Sequence, residues 1–495
     1  MESPPPATAS PGAPTAHPGS IVGILAFAGI VAALTQTLVV PLIAQLPTLF
    51  DTSASNASWV ITATLLAAAV STPVAGRLGD MYGKRRMLLV SLVPLILGSV
   101  VCALSSSVIP MIAGRGLQGL GMGVVPLGIS LLRDVAPAEK LGPSIAIMSA
   151  SMGVGGALGL PFAAAIAENT SWRVLFWVVA VLALAVGALI LTLVPADRPA
   201  TTVAGHFDLP GAIGLGAALI ALLLAVSKGA DWGWGSATTL TLFAAALILL
   251  PAWGWWELRL RDPLVDLRVT ARPQVLMTNT ASVLVGFAMY AQSLVVPQLL
   301  QLPEATGYGL GRSMLAMGLW MAPAGLMMMA MSPVGAKLSA AKGPKVTLAV
   351  GSLLIAAGYG LSVPLIGSGS PWSLLIVTLV CNSGVGFAYG AMPALIMSAV
   401  PQSETASANS FNALMRSIGT SFAAAVIGVV LARMTTDFGG FPLPSENGFR
   451  VAMLIGCGVG LAAAVVAALI PVRTTKAPLD PPAPTTAPTR THQEA

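Results

Sequence analysis

Two arginines stand inside long apolar stretches of this sequence, and both share a helix face with side-chain amides. Arg115 belongs to "IAGRGLQGLGMG" (residues 112–123), and Gln118 falls on the same face one turn later. Arg416 follows Asn409 and Asn412 at helical spacings of three and four residues. A cation is costly in hydrocarbon unless it faces a polar interior, so we predict that these five residues line a polar pathway for a solute. The alternative for Arg115 is a side chain that reaches back to the membrane surface.

Covalent chemistry has few suitable residues in these stretches. All 18 acidic residues can be assigned to tails, loops or the ends of apolar runs, and the histidines, His17, His206 and His492, lie in tails or a loop. An enzyme needs a nucleophile with a base, or a metal cluster, at one place. We therefore predict no enzymatic activity, no metal site and no cofactor.

A proton carrier would have to be a carboxylate near the rim of the apolar region. The candidates are Asp51, Asp80, Glu304 and Glu404, and the sequence does not choose among them. The two buried arginines make the centre electropositive, which favours an anionic or zwitterionic solute over a cation.

Composition places almost the whole chain in a membrane. Of the 495 residues, 56% are hydrophobic and 8% are charged, whereas a soluble domain has about 25% charged residues. We find fourteen apolar runs of about 20 residues, the length that crosses roughly 30 Å of hydrocarbon. The sequence therefore predicts an all-α membrane protein. Its predicted spans are 21–44, 57–77, 87–106, 108–132, 142–166, 173–194, 210–227, 236–256, 274–298, 312–333, 346–365, 372–397, 405–432 and 449–471.

The distribution of cations predicts the orientation. An even number of spans puts both tails on one side of the membrane, and most of the 24 lysines and arginines fall on that side. Positive residues stay in the cytoplasm, so we expect a multi-pass protein of the cell membrane with both termini cytoplasmic. The same bias explains the net charge of +6 without a nucleic-acid partner. We expect a monomer that is surrounded by lipid.

Two stretches of the chain occur twice. "QTLVVPLIAQLP" from Gln36 is repeated as "QSLVVPQLLQLP" from Gln292, and "PVAGRLGDMYGKRRMLLV" from Pro73 is echoed by "PVGAKLSAAKGPKVTLAV" from Pro333. Parallel repeats are a transporter design in which a solute site lies between two halves. We therefore expect Gln36 and Gln292 to face each other across a cavity, with Pro41 and Pro297 bending both helices alike. The alternatives are chance similarity and buried amides that tie neighbouring helices together.

The repeats divide the chain into two related six-span halves with two extra spans between them. We predict a disordered cytoplasmic tail (1–20), an N-terminal six-helix bundle (21–195) and a linker with two inserted transmembrane helices (196–272). A C-terminal six-helix bundle (273–472) and a second disordered cytoplasmic tail (473–495) complete the chain.

"GRLGDMYGKRR" (residues 76–86) resembles the signature loop between the second and third helices of the major facilitator superfamily. Spans arranged as six, two and six resemble its fourteen-helix drug:proton antiporter branch, so the resemblance covers nearly the whole chain. It implies the major facilitator fold, with two six-helix bundles related by a pseudo-twofold axis. It also implies that the loop acts as a latch on the cytoplasmic gate, whereas a plain cluster of topogenic cations is the alternative. The loop residues concerned are Gly76, Arg77, Asp80, Gly83, Lys84 and Arg85.

Two further motifs match this family in part. "IAGRGLQGLGMG" is similar to its fourth-helix motif with a buried arginine, and "SMGVGGALGLP" (residues 151–161) is similar to the antiporter motif of the fifth helix. In the latter, Gly155 and Gly159 form a smooth stripe for close helix packing, and Pro161 removes a backbone donor. The sequence departs from the pattern in the first span, where Thr35 and Gln36 stand in place of an aspartate.

The resemblance and the residues together predict a secondary active transporter. We expect it to export a small amphipathic organic molecule, such as a drug, an antibiotic or an endogenous metabolite, by alternating access with proton coupling. The alternative is an exporter of one dedicated anionic or zwitterionic metabolite, either uncoupled or coupled through a rim carboxylate. A channel or a membrane-embedded enzyme is a more remote alternative.

Overall fold

The computed structural model describes residues 18–42, 45–195, 205–438 and 441–471, and most of these are helical. Within these ranges, fourteen helices are long and apolar enough to cross a membrane, and each coincides with one predicted span. The predicted all-α membrane fold is therefore confirmed. The proposed tails fall almost entirely outside the described residues, except that residues 18–20 already belong to the first helix.

We number the membrane helices α1 to α14 in chain order. Their bounds are Pro18–Thr37, Ala54–Tyr82, Lys84–Leu104, Val108–Val135, Ala138–Asn169, Arg173–Leu193, Leu209–Trp232, Ala237–Glu257, Pro273–Gln301, Met314–Lys342, Pro344–Leu365, Pro371–Ala399, Thr405–Arg433 and Glu446–Leu469. A 3-10 turn at Gly121–Gly123 interrupts α4.

A single glycine separates α2 from α3, and the same arrangement recurs between α10 and α11. Gly83 has φ 101° and ψ 135°, and Gly343 has φ 88° and ψ 155°. A residue with a side chain adopts such a positive φ only with strain, which explains glycine at both turns. The second sequence repeat therefore folds into a duplicated turn.

The first sequence repeat does not produce two matching helices. Helix α1 ends at Thr37, and a 3-10 helix follows at Val40–Leu42. In the second copy, α9 continues through Pro297 to Gln301. The prediction that Pro41 and Pro297 bend their helices alike is wrong, because Pro41 lies beyond the last turn of α1 whereas α9 holds Pro297 in its interior.

Two hydrophobic cores fill the protein. One is built by residues of α1 to α6 together with Met397 of α12 and Ala406 of α13, and the other by residues of α9 to α14. Each core corresponds mainly to one six-span half of the sequence, so most of the apolar surface of each half is buried within that half. The domain boundaries themselves stay a prediction.

The inserted helices lie against both halves. Helix α7 packs on α2 from the N-terminal half and on α13 from the C-terminal half. Leu219 of α7 and Trp253 of α8 share an apolar cluster with Ala69 of α2 and Phe411 of α13. The inserted pair therefore bridges the seam between the two bundles.

Helices α5 and α10 form the closest packing across this seam. A Cβ atom on Gly325 of α10 would lie 2.3 Å from Gly153 O, and a Cβ atom on Gly318 would lie 2.9 Å from Pro161 N. In a bilayer, helix association relies on close van der Waals contact, since lipid already solvates apolar side chains. Small residues therefore set the distance between the two bundles.

A β-hairpin between α13 and α14 was not predicted. Its strands, β1 (Thr435–Phe438) and β2 (Phe441–Pro444), pair antiparallel. The hydroxyl of Tyr308, in the loop after α9, donates to Pro444 O at 2.6 Å. "DFGGFP" (residues 437–442) places two glycines between two phenylalanines, a hairpin signal that hydropathy alone does not reveal.

We predict that Gly83→Ala destabilises the protein by about 1–3 kcal/mol, because alanine would be strained at the positive φ of this turn. The measurement is the thermal unfolding midpoint of purified protein, followed by tryptophan fluorescence. Gly156→Ala is the matched control, since a Cβ atom at that helical glycine meets nothing within 4 Å. Equal midpoints for the two variants would contradict the argument from backbone strain.

Candidate gate and binding residues

Asp80, near the end of α2, caps the first turn of α13 in the other bundle. The carboxylate is fully buried and accepts hydrogen bonds from the backbone N–H groups of Ala406 and Ser407 at 3.0 and 2.8 Å. The Ser407 hydroxyl donates to it at 2.6 Å. A helix N-terminus carries unpaired N–H groups and a partial positive charge, so a carboxylate is well placed there.

Gly76 allows α2 to approach α13 closely enough for this contact. A Cβ atom at Gly76 would lie 2.5 Å from Ser410 Oγ and 2.7 Å from Ala406 O. Gly76 and Asp80 of the loop motif therefore serve the same contact. Gly76 lets α2 approach α13, and Asp80 caps the first turn of α13.

The cations of the loop motif extend the contact in two directions. Lys84 forms an ion pair with Asp134 at the end of α4 at 2.6 Å, and both side chains are largely buried. The second oxygen of Asp134 accepts from Gln402 Nε2 at 3.0 Å. Arg85 donates to Leu191 O at the end of α6 at 2.8 Å. The cluster is thus more than a topogenic signal, because Lys84 reaches the other bundle through Asp134.

Two more residues of α4 join the bundles at this end. Arg133 Nη1 donates to Val400 O at 3.3 Å, and Ser130 Oγ donates to Thr405 O at 3.1 Å. Sequence reasoning missed Ser130, Arg133 and Asp134, because only the fold brings α4 against α13. We name the residues that join the bundles here the latch: Asp80, Lys84, Ser130, Arg133, Asp134, Gln402 and Ser407.

Asn409 and Asn412 do not line an open pathway in this conformation. Asn409 Nδ2 donates to Ser130 Oγ at 3.2 Å, so Asn409 belongs to the closed end. Asn412 Nδ2 donates to Asn279 Oδ1 at 2.9 Å and to Ser282 Oγ at 2.7 Å, which ties α13 to α9 within one bundle. Both side chains are buried.

Arg115 points into the N-terminal bundle rather than towards the membrane surface. Its Nη1 donates to Thr35 O of α1 at 2.8 Å and to Gln118 Oε1 at 2.7 Å. Its Nε donates to Val60 O of α2 at 3.3 Å, and Gln118 passes the network on to Ser99 Oγ of α3 at 2.8 Å. The buried guanidinium therefore connects α1, α2 and α4 through oxygen acceptors that carry no formal charge.

Arg416 stands against an aromatic ring of the C-terminal bundle. Its guanidinium carbon lies 4.6 Å from the centre of the Tyr389 ring, a cation–π contact. The side chain is half-buried. Within the described ranges, no carboxylate lies within ion-pair distance of Arg416. Its charge is therefore available to a solute.

The two repeated glutamines occupy different surroundings. Gln36 is exposed, and its amide nitrogen contacts Met122 Sδ at 3.4 Å. Gln292 is buried and accepts a hydrogen bond from Asn382 Nδ2 of α12 at 3.3 Å. Gln292 thus ties neighbouring helices together, and Gln36 is accessible to a solute.

Gly155 and Gly159 of α5 face α1. A Cβ atom at Gly155 would lie 2.6 Å from Ile30 O, and one at Gly159 would lie 1.9 Å from Thr37 Oγ1. Pro161, with Gly153, faces α10 instead. Helix α5 therefore has one smooth face towards its own bundle and another towards the other bundle.

The candidate coupling carboxylates differ in burial. Asp51 and Glu304 are exposed, Glu404 is half-buried and Asp80 is buried. Glu404 and Arg77 line a cavity of about 100 Å³ next to the latch. The Nε of Arg77 is buried without a hydrogen-bond partner.

The chain resembles known transporters in sequence and in fold. A family model described as Major Facilitator Superfamily matches residues 25–424. An uncharacterized MFS-type transporter of Mycobacterium tuberculosis is 30% identical over 412 residues, which cover 82% of this chain and 58% of that protein. The chain thus spans little more than half the length of this relative.

Two further relatives are matched over more of their length. The multidrug resistance protein Stp of Mycobacterium tuberculosis is 28% identical over 77% of this chain and 70% of its own. The tetracenomycin C resistance and export protein of Streptomyces glaucescens is 30% identical over 78% and 70%. The human organic anion transporter MFSD10 shares the fold, with a TM-score of 0.64 at 15% identity over 91% of this chain and 99% of that chain.

We predict that Asp80→Asn speeds hydrogen exchange at the backbone amides of Ala406 and Ser407 by roughly tenfold or more, since a hydrogen bond to a charged group contributes about 1.5–3 kcal/mol. Mass spectrometry of peptides that cover the start of α13 measures this exchange. Asp51→Asn is the control, because it makes the same chemical change at an exposed site. Similar exchange in both variants would show that Asp80 does not hold the latch closed.

Proposed function

The chain belongs to the Major Facilitator Superfamily, and from this membership we propose that it exports small amphipathic organic molecules by alternating access. The membership confirms the resemblance found in the sequence. The observation that carries the proposal is the latch, which joins two separately packed bundles at one end through hydrogen bonds. Largely separate cores allow the bundles to rock as units, and water can solvate the polar groups of the latch when it opens.

The orientation follows from the cations. With both termini in the cytoplasm, the latch is cytoplasmic and the conformation described above is closed towards the cytoplasm. In this proposal the bundles 21–195 and 273–472 move against each other, and the segment 196–272 stays associated with the seam. The transporter acts as a monomer, because each chain contains both halves.

Efflux is the direction that the relatives support. One relative is named for multidrug resistance and another for tetracenomycin C resistance and export, and the smooth faces of α5 match the antiporter motif of the family in part. Protons are the coupling ions in this proposal. A dedicated anionic or zwitterionic substrate is the second candidate, and it is supported by Arg416, whose charge is not neutralised by a carboxylate within the described ranges.

The proposal is tested with the purified protein in liposomes under an imposed pH gradient. The probes are tetracenomycin C, the cation ethidium and the anion carboxyfluorescein. Saturable flux that depends on the gradient and is reduced by a competing probe is expected for a coupled carrier. Flux that rises linearly with probe concentration would contradict a carrier mechanism and indicate a channel. Saturable flux that ignores the gradient would contradict proton coupling and leave a uniporter.

We predict that Arg416→Leu reduces transport of an anionic probe at least roughly tenfold, since a partly desolvated charge contact is worth about 1.5 kcal/mol or more. The thermal unfolding midpoint checks that the variant is folded, and Arg416→Lys tests whether charge alone restores flux. Arg433→Leu, at an exposed position, is the matched control. Normal anion flux in folded Arg416→Leu would exclude this residue from the pathway.

A further inference from the structure

Two carboxylic acids lie close together outside both bundles, where the inserted helix α7 begins and the inserted helix α8 ends. We call this place the base of the inserted helices. Asp208 is the N-cap of α7 and Glu257 is the last residue of α8. Their side chains are 7% and 1% exposed. Sequence reasoning assigned both to span ends, where water would solvate them.

Each carboxyl group has one satisfied oxygen and one unsatisfied oxygen. Asp208 Oδ1 accepts from Gly211 N at 2.9 Å and from Trp256 Nε1 at 3.3 Å. Glu257 Oε2 accepts weakly from Val265 N at 3.5 Å. Asp208 Oδ2 and Glu257 Oε1 are buried and have no hydrogen-bond partner in the part of the chain that the structure describes. A buried unsatisfied carboxylate oxygen is costly, so two of them in one place require an explanation.

The two unsatisfied oxygens both lie next to the position that a Cβ atom of residue 211 would occupy. A Cβ atom placed on Gly211 would lie 1.8 Å from Asp208 Oδ2 and 2.7 Å from Glu257 Oε1. The indole N–H of Trp253, one turn before Glu257, is also buried and has no hydrogen-bond partner among the described residues. Two carboxylates this close repel each other strongly, and a proton bound by one of them would turn the repulsion into a hydrogen bond.

No cation of the described residues takes the place of this proton. Arg259 stacks on the Trp255 ring with its guanidinium carbon 3.7 Å from the ring centre, and Arg268 donates to Leu258 O at 2.6 Å. His206 is exposed. Among residues 205–438, no lysine or arginine forms an ion pair with Asp208 or Glu257.

The helices packed on this base contribute two more charged groups, Arg77 of α2 and Glu404 before α13, and both line the cavity next to the latch. Arg261, Asp262 and Asp266 of the segment after α8 line the same cavity. A third ligand for a metal ion is missing within the described parts of the chain, since no group of three histidine, cysteine or acidic side chains could hold one. The pair is therefore suited to a proton rather than to a metal ion.

We propose that Asp208 and Glu257 form a proton-binding site in which one dissociable proton is shared between Asp208 Oδ2 and Glu257 Oε1. Binding takes one proton from water and makes an O–H···O hydrogen bond within a pair of net charge −1. Release returns that proton to water and leaves two adjacent carboxylates of net charge −2.

The pair is connected to the latch by a short segment of chain. Glu257 holds the backbone of Val265, and Leu264 and Val265 pack with Phe411 and Leu414 of α13. Loss of the proton makes the two carboxylates repel each other, displaces Glu257 together with Val265, which it binds, and loosens the packing against α13, whose first turn is capped by Asp80. Cytoplasmic protons therefore favour the closed latch. This effect on transport rests on the proposed function, whereas the proton site does not.

Infrared titration of the full-length purified protein tests the site directly. A band of a buried protonated carboxyl group is expected at neutral pH in the natural protein and is lost as the pH rises. Both Glu257→Gln and Asp208→Asn should abolish it, because an amide cannot share a titratable proton. Asp262→Asn, on the neighbouring segment, should retain it. A missing band, or a band that persists in both folded amide variants, would overturn the proposal.

Folding and coupling to the latch are followed in parallel. Glu257→Gln can donate its amide to Asp208 Oδ2, so it should mimic the protonated pair and keep a thermal unfolding midpoint that no longer falls at alkaline pH. Hydrogen exchange at Ala406 and Ser407, corrected for intrinsic rates, should lose its dependence on pH in the same variant. An infrared band that the variants remove, with unchanged latch exchange, supports the proton site and overturns its link to the latch. Absence of probe transport leaves these readouts intact and would count against the proposed function alone.

Discussion

The carboxylate of Asp80 at the N-terminus of α13 is the contact on which the proposed closed state depends. Asp80 is 0% exposed. Inside a single bundle, where helices bury apolar surface, such a carboxylate would only cost desolvation free energy. Across the seam, the same carboxylate satisfies N–H groups that every helix leaves unpaired in its first turn. When the bundles separate, water can replace the carboxylate at α13 and can solvate Asp80. The contact is therefore strong while water is excluded, and contacts with water readily replace it when the bundles separate, as a reversible gate requires.

The rest of the architecture brings these two elements together. Gly76 allows α2 to reach α13, and the positive φ of Gly83 turns the chain at once into α3. Lys84 is thereby placed opposite Asp134, which extends the latch to α4. Along the seam, Gly153 of α5 and Gly325 of α10 bring the bundles into backbone contact. These glycines set the distances between the helices, and the polar groups of the latch determine whether the seam is closed at its end.

How much could be predicted from the sequence depends on the range of the interaction. Membrane spans follow from local hydropathy and were predicted. The predicted spans left loops at residues 78–86 and 334–345, and the structure narrows each of these loops to one glycine, Gly83 or Gly343. The partners of Asn409, Gln292 and Asp134 depend on which helices pack together, and helical spacing gives a face without saying what that face meets. Gln36 and Gln292 have similar sequence contexts, yet one is exposed and the other is buried.

The buried and half-buried charged side chains of this protein fall into two groups, those with fixed partners and those with replaceable partners. Arg115 donates to carbonyl and amide oxygens within one bundle, and Lys228 of α7 pairs with Asp231 and lies over the Trp59 ring of α2. Arg115 connects helices of one bundle, and Lys228 connects an inserted helix to that bundle. Asp80 instead acts across the seam, where water can replace its partners, and Lys84 pairs with Asp134, which accepts from Gln402 of the other bundle. Arg416 has an aromatic ring beside it, which holds the guanidinium in place while leaving its N–H donors unused. Charges with fixed partners therefore maintain the bundles, and charges with replaceable partners are those available for a transport cycle.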